Sequence, residues 1–312
     1  LGFPDEGNLP TSRTERRAYD LVAQGFGPGI NGPLVIVANA GEAARVRSEV
    51  AADPGIAGVA PPETTGGVAT LLAYPTTAPQ DAATAATVAR LRSTVEGNVG
   101  GNTADWIDIG DRLEDRLPSF VGAVVLLSFL LLTVMFRSVV VPLKAAILNL
   151  LSVGAAYGVL VVVFQWGWAA GLIGLESTVP IVPFIPVFMF ALLFGLSMDY
   201  EVFLLSRIRE DWVRRHDASE AVAQGIAHTG RVITAAATIM VCVFASFALG
   251  DDLVVKLFGI GLGVAVFLDA FVIRTALVPA IMELLGPRAW WWPRWLERVL
   301  PSSASRRKRV AA

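Results

Sequence analysis

The chain has 312 residues, 54% of them apolar and 17% charged, with a mean hydropathy of +0.59. Soluble globular domains carry about 25% charged residues, so this composition excludes both a simple soluble enzyme and an intrinsically disordered protein. The net charge of −2 gives no indication of nucleic-acid binding, and the single cysteine, Cys242, excludes a disulfide framework and a cysteine-based metal site.

Charge is unevenly distributed along the chain. Residues 1–116 contain 9 Lys or Arg and 15 Asp or Glu, whereas residues 117–312 contain 16 and 12, placed around long apolar runs. This pattern predicts an integral membrane protein with an attached polar domain. We expect the polar domain over 1–116 with its core at about 33–104, a transmembrane helical bundle over 117–286, and a basic cytoplasmic tail over 287–312.

The polar domain begins with residues 1–32, whose glycines and prolines predict a loop. After it we expect, in chain order, a strand at 34–38, a helix at 42–52, strands at 56–59 and 68–74, a helix at 81–95 with Asp81 as N-cap, and a final strand within 97–102. This order is that of a split βαβ, ferredoxin-like half-domain. Because a core of about 80 residues is small, we expect this extracytoplasmic α+β half-domain to pack against a partner half.

Five segments are long and apolar enough to cross a bilayer, which takes about 20 residues of helix. They are 117–136, 143–164, 181–205, 232–249 and 257–277. A helix over 105–116 is expected to run directly into the first of them. The third begins among three prolines, so we expect its outer end to be irregular. The predicted fold class is therefore a membrane α-helical bundle of five transmembrane helices.

Positive charge is concentrated on one side of this predicted bundle. The connections after the first, third and fifth spans contain 14 Lys or Arg, whereas the opposite connections contain one, Lys256. The positive-inside rule then predicts that the basic face and the C-terminus are cytoplasmic and that residues 1–116 are extracytoplasmic. The 14 residues are Arg137, Lys144, Arg207, Arg209, Arg214, Arg215, Arg231, Arg288, Arg294, Arg298, Arg306, Arg307, Lys308 and Arg309.

No segment near the start of the sequence could carry the polar domain across a membrane. Residues 1–30 contain no charged region followed by an apolar one, and the first residue is Leu1 rather than Met. We therefore expect a further span to precede this sequence, which would make it the C-terminal part of a longer protein.

Asp199 is the strongest functional signal in the apolar segments. The next basic residue, Arg207, is eight positions later, about 12 Å along a helix, so Asp199 is expected near the middle of the membrane. An ionised carboxylate there costs about 2.5–3.5 kcal/mol, and such residues are functional by default. Gly195, one turn earlier, permits close approach of another helix, and Tyr200 supplies a hydroxyl. We interpret Asp199 as a proton-handling residue, the alternative being a polar residue satisfied by helix packing.

The other polar residues of the spans are less distinctive. Glu201 lies about 200° around the helix from Asp199, and a structural and a functional role both remain open for it. Asp269 and Arg274 are five residues apart, a poor spacing for a pair within an α-helix, so each is expected to pair across helices, with snorkelling as the alternative for Arg274. Most of the remaining polar side chains in the spans are expected to be helix-packing donors that bond the backbone; they are Asn149, Ser152, Thr234, Thr238 and Ser246.

The connection after the third span predicts an interfacial element over 209–228. Asp217 begins a capping box there, and the helix that follows is expected to end near Gly230. His216 and His228 are expected at the surface. Because the spans contain no histidine, they offer no base for an intramembrane hydrolase, and we do not expect an enzyme.

Four sequence motifs together resemble the MMPL (mycobacterial membrane protein large) family of the resistance-nodulation-division (RND) transporters. They are GFGPGINGPL at 25–34, FRSVVVPLK at 136–144, GLSMDYEVFLLSRIR at 195–209 and GLGVAVFLDAFVIRTALVPAIM at 261–282. The resemblance implies the C-terminal half of a duplicated exporter that uses the proton-motive force to move lipids or other hydrophobic molecules outward. Asp199 and Tyr200 match the proton-relay pair of that family, and Arg207, Asp269 and Arg274 match polar positions of the same bundle.

The resemblance also sets expectations for ligands and partners. It implies no cofactor and no metal, the proton being the coupling ion, and its partners would be the N-terminal half of the same transporter, a hydrophobic or lipid substrate, and membrane lipids. A homo-oligomer remains open. Two alternatives share the architecture: a lipid sensor or scaffold that does not pump, and a SecDF-like protein-translocation partner.

Overall fold

The computed structural model describes residues 1–293 and 295–296. Five helices in this part of the chain are long and apolar enough to cross a membrane, and together with a small antiparallel sheet they confirm the predicted fold class. They are Asn102–Phe136, Val140–Gln165, Phe184–Arg215, Ala218–Phe247 and Leu253–Trp290. Of the predicted basic tail, Arg294, Arg298, Arg306, Arg307, Lys308 and Arg309 lie outside the described residues.

The chain forms two compact units. The first combines Leu1–Arg116 with Val161–Ile185, and the second combines Leu117–Leu160 with the chain from Pro186 onwards. The connection that follows the second span is therefore part of the first unit. It is tied to the start of the chain, since Thr11 donates hydrogen bonds from its amide and hydroxyl to the Glu176 carboxylate at 2.9 and 2.8 Å. These bonds hold the pKa of Glu176 below its usual range.

The sheet of the first unit has the predicted split βαβ topology. Its elements are α1 (Thr14–Phe26), β1 (Leu34–Asn39), α2 (Ala43–Ala51), β2 (Ile56–Val59), β3 (Glu63–Thr65), β4 (Val68–Pro75), α3 (Ala82–Thr94) and β5 (Asn98–Gly100). The strand order is β2-β4-β1-β5, with β4 antiparallel to both neighbours. Alternate residues of β1 and β4, including Leu34, Ile36 and Leu71, are fully buried against α2 and α3. The core is the one that the alternating pattern of the strands predicts.

Two elements of this unit differ from the prediction. Residues 14–26 form α1 rather than a loop, because the segment contains no proline and its one glycine, Gly25, lies in the last turn. The strand β3 was not expected. It pairs with the start of β4 through Gly66 and Gly67, whose φ values of 59° and 83° suit a two-residue hairpin turn.

The second unit is a helical bundle. Its elements are the part of α4 (Asn102–Phe136) that follows Arg116, then α5 (Val140–Leu160), α6 (Phe184–Arg215) from Pro186 onwards, α7 (Ala218–Phe247), α8 (Leu253–Phe267), a π-helix over Leu268–Leu277, and α9 (Val278–Leu285). The helix predicted to end near Gly230 instead continues to Phe247. Its N-cap is confirmed, since the Asp217 carboxylate accepts from the Glu220 amide at 3.0 Å. No proline interrupts this helix, and its two glycines, Gly225 and Gly230, are not enough to end it.

Candidate functional site

An ion pair lies inside the fifth span. The Arg274 Nε atom donates to Asp269 Oδ2 at 2.8 Å, and the two side chains are only 4% and 12% exposed. The argument from spacing against a pair within this span is wrong, and so is snorkelling for Arg274. The predicted contacts with another helix are present as well, because both side chains also bond Ser197 of α6. Residues 268–277 form a π-helix, in which backbone hydrogen bonds join residues five apart and the turn is wider than in an α-helix. That periodicity places residue 274 one turn from residue 269, on the same side of the helix.

This pair is connected to α6 and α5. Ser197 of α6 donates from Oγ to Asn149 Oδ1 at 2.6 Å, and the same hydroxyl lies 3.0 Å from Asp269 Oδ1. Arg274 Nη2 donates to the Ser197 hydroxyl at 2.8 Å and also bonds its carbonyl. Asn149, Ser197, Asp269 and Arg274 are all buried. Asn149 is therefore an exception to the expectation that most of these polar side chains bond the backbone, because its side-chain carbonyl accepts from Ser197 and so joins three helical segments.

A second buried ion pair lies beside the first. Lys144 Nζ of α5 is 3.3 Å from Glu201 Oε1 of α6, and both side chains are 5% exposed. Glu201 thus has the structural partner that the sequence left open. Lys144, one of the basic residues predicted near the cytoplasmic face, has its side chain buried in the bundle.

The two pairs form one charge-balanced cluster. Asn149, Glu201, Asp269 and Arg274 line a single narrow void, which makes the two pairs neighbours. The cluster contains two cations and two anions, so its formal charge is zero. Its hydrogen bonding is incomplete, because Asn149 Nδ2 and Arg274 Nη1 are buried and have no hydrogen-bond partner among the described residues. Unpaired donors in an apolar bundle are costly, so this cluster can gain by accepting another polar group.

A cavity adjoins the cluster on the side of Tyr200. Asn149, Ser197, Tyr200 and Asp269 are among its lining residues, and its volume of about 10 Å³ is the space that one water molecule occupies. The Arg274 guanidinium lies 5.4 Å from the centre of the Tyr200 ring, within the range of a cation–π contact. The Tyr200 hydroxyl is 3.7 Å from Met240 Sδ. Tyr200 therefore contacts the buried cluster and is the neighbour of Asp199 in the chain.

Asp199 itself lies outside the cluster. It is on an exposed face of α6, together with Gly195, and makes no hydrogen bond or ion pair with any described residue. A Cβ atom added at Gly195 would have no described atom within 4 Å, so the face is open along a full turn. Ser197 and Glu201 occupy the opposite, buried face of the same helix.

The remaining predicted residues occupy ordinary positions. Arg207 is 53% exposed and pairs with Glu210 at 3.1 Å. Thr234, Thr238 and Ser246 bond backbone carbonyls three or four residues earlier, as predicted. Within the described residues, no group of three or more His, Cys, Asp or Glu side chains could hold a metal ion.

Sequence reasoning missed Lys144 and Ser197 as members of the site. One signal was present: Ser197 and Glu201 are one turn apart on α6, so they share a face. That face could not be recognised as the buried one, since apolar residues surround α6 on all sides. Lys144 was assigned by its place near a connection, and only the packing of α5 on α6 shows that it points inward.

Comparison with known proteins identifies similar sequences. The model of the MMPL family matches residues 65–308. The chain is 40% identical to the membrane protein YdfJ of Bacillus subtilis, over 97% of this chain and 44% of that protein. It is 38% identical to the mycolic acid-containing lipids exporter MmpL11 of Mycolicibacterium smegmatis, over 96% of this chain and 34% of that protein. It is 40% identical to the trehalose monomycolate exporter MmpL3 of the same organism, over 66% of this chain and 20% of that protein. The chain spans less than half the length of each relative.

Proposed function

The chain belongs to the MMPL family, and from this premise we propose that it is the C-terminal half of a proton-driven, RND-type exporter of lipids or other hydrophobic molecules. The observation that carries the proposal is the buried cluster of Lys144, Asn149, Glu201, Asp269 and Arg274 beside a small cavity that Asp269 and Tyr200 help to line. Buried ionisable groups in a membrane bundle mark ion pathways more often than structural contacts.

In this proposal Asp199 and Tyr200 form the proton relay. Asp199 receives a proton on the open face of α6, and the Tyr200 hydroxyl passes protons between that face and the cavity. Three observations support a proton path from Asp199 through Tyr200 to the cavity: Asp199 has no partner among the described residues, Tyr200 lines the cavity, and Asp269 lines the same cavity. No group other than these side chains and water is needed, so no cofactor is proposed.

Protonation changes the electrostatic balance of the bundle. A neutral Asp199 removes the cost of an ionised carboxylate in the membrane, about 2.5–3.5 kcal/mol, and allows α6 and the fifth span to repack. A proton that reaches Asp269 weakens its attraction for Arg274, whose Nη1 already lacks a partner among the described residues. One charge that crosses 100 mV supplies about 2.3 kcal/mol. That energy shifts a two-state equilibrium about 50-fold.

The open face of α6 indicates where the other half of the transporter would pack. Gly195 and Asp199 leave room for close approach of a helix, and the partner would supply polar groups to Asp199. The relatives are longer than this chain and two of them are named as lipid exporters, which supports a half-transporter with a lipid cargo. We assign residues 1–116 to the extracytoplasmic side and the C-terminus to the cytoplasm, because the basic residues flank the inner ends of the spans.

The test uses the longer protein that contains this chain, produced in a strain that lacks it. Asp199→Asn should reduce the cell-surface lipids that depend on the protein to the level of the deletion strain, with normal production and membrane insertion. The matched control is Asp211→Asn, the same change on the same helix 12 residues later, which should support normal export. Export by Asp199→Asn at the level of Asp211→Asn would refute the relay.

A protonophore separates the exporter from a sensor or scaffold of the same architecture. An exporter loses lipid transport in sealed vesicles when the proton gradient collapses. A sensor binds its lipid equally well with and without the gradient, and that result would contradict proton-driven export.

A further inference from the structure

A groove lies between the ends of α4 and α6 on the basic side of the bundle. Its volume is about 370 Å³, and Met135, Phe136, Arg209, Val213 and Arg214 are among its lining residues. The floor is apolar and the rim carries guanidinium groups. Such a combination suits a molecule that has an anionic group attached to an apolar body.

Arg209 is the cation of this groove that no carboxylate neutralises. It donates from Nη1 to the carbonyl of Met135 at 3.0 Å, and its guanidinium lies 5.9 Å from the centre of the Trp290 ring. It forms no ion pair with any described residue, and its other N–H groups have no hydrogen-bond partner there. Because the carbonyl and the indole hold the guanidinium in place, little entropy is lost when a ligand binds its free donors.

The neighbouring charged side chains leave the Arg209 guanidinium available to bind an anion. Glu210, also at the groove, is already engaged by Arg207 at 3.1 Å and by Arg214 at 2.6 Å. Arg137 adds a second positive charge within electrostatic range of Arg209. The local field therefore favours an anion, and the planar guanidinium suits phosphate oxygens in particular.

An apolar surface extends from the groove along α4. Leu130, Leu131, Val134 and Met135 are each 46–54% exposed. A lipid with its headgroup at Arg209 would lay its acyl chains along these side chains, at the depth where a phosphate meets hydrocarbon. A free phosphate would gain nothing from this surface, so the geometry favours a lipid over a soluble anion.

We propose that this groove binds an anionic phospholipid, with the headgroup phosphate on Arg209 and the acyl chains along α4. The site is separate from the proton relay, and its existence does not depend on transport. The lipid would fix the inner ends of α4 and α6 relative to each other.

The experiment measures lipid retention by the full chain in nanodiscs or mixed micelles, with native mass spectrometry as the readout and phosphatidylglycerol and phosphatidylcholine as probes. The wild type should retain phosphatidylglycerol preferentially. Arg209→Gln should weaken phosphatidylglycerol binding about fivefold, with phosphatidylcholine binding unchanged. The matched control is Arg215→Gln, which removes the same charge from the same helix but lies outside the groove lining and pairs with Glu220 rather than with Glu210. It should bind phosphatidylglycerol like the wild type.

A second variant distinguishes loss of the lipid site from misfolding of Arg209→Gln. Val213 is 61% exposed, and Val213→Asp places a carboxylate beside Arg209 without removing any buried contact, so it should reproduce the loss. Equal losses in Arg215→Gln and Arg209→Gln would overturn the proposal in favour of general surface charge. Displacement of phosphatidylglycerol by millimolar inorganic phosphate would overturn it in favour of a soluble anion.

Discussion

Arg274 and Asp269 pair at 2.8 Å within one span because the segment that contains them is π-helical. In an α-helix, residues five apart point about 140° away from each other, and the same side chains would face different neighbours. The ion pair and the π-helix therefore depend on each other. Helices of this type occur frequently at functional sites, which agrees with the position of the pair at the centre of the buried cluster.

The first prediction concerns the contribution of the Asp269–Arg274 pair to the stability of the bundle. Asp269→Asn leaves the buried Arg274 without its counter-charge, and removing one partner of a buried pair costs about 3–5 kcal/mol. The double variant Asp269→Asn/Arg274→Gln removes both charges and should recover most of that stability. Unfolding of the chain in mixed micelles, followed by tryptophan fluorescence, measures both. If the double variant were as unstable as the single one, the interaction would not be the source of the loss.

The second prediction concerns the contact between α7 and α8. A Cβ atom at Gly259 would lie 2.7 Å from the Phe244 carbonyl oxygen and 2.7 Å from Phe247 Cβ, so Gly259→Ala forces the helices apart. Overpacking of this kind costs about 1–3 kcal/mol and should lower the melting temperature by at least about 2 °C. The control is Gly154→Ala in α5, where no atom would lie within 4 Å. It should melt at or above the wild-type temperature, and equal losses in both variants would argue against the helix contact.

The third prediction concerns the polar unit and its response to pH. Arg90 Nη2 lies 2.8 Å from Asp53 Oδ1, and this hydrogen-bonded guanidinium holds the pKa of Asp53 below its ordinary value of 3.8. A lowered folded-state pKa means that the pair stabilises the fold fully above the unfolded value and loses this contribution as the pH falls through the folded value. Asp53→Asn should therefore cost about 1 kcal/mol at pH 7, since Arg90 is 45% exposed.

Hydrogen exchange of the amides in α3, measured on the full chain, tests this prediction. Exchange should be about fivefold faster in Asp53→Asn than in the wild type at neutral pH, and the difference should vanish in acid below the pKa of Asp53. Glu63→Gln is the control, because Glu63 is an exposed acid of β3 in the same unit. A protein in which both variants exchange alike at pH 7 would rule out a stabilising role for the Asp53–Arg90 pair.

The sequence by itself determined the class of the protein and the composition of its parts. Five apolar runs, the acidic first third, and the alternation of apolar residues in β1 and β4 lead to the membrane bundle and the split βαβ sheet, since burial of apolar surface acts through residue type and spacing alone. Four motifs together, of which the Asp-Tyr motif within residues 195–209 is one, indicated the family, and the match of the family model over residues 65–308 confirms it.

Tertiary structure decided which polar residues meet. In a membrane helix the outer surface is as apolar as the buried one, so the sequence pattern of α6 does not distinguish the face of Ser197 and Glu201 from the face of Asp199. The π-helical turn that joins Asp269 to Arg274 has no signature in residue spacing, because it arises from packing and from the buried pair itself. Lys144 likewise pairs with Glu201 because α5 packs against α6. Local periodicity does not encode such a contact between distant segments.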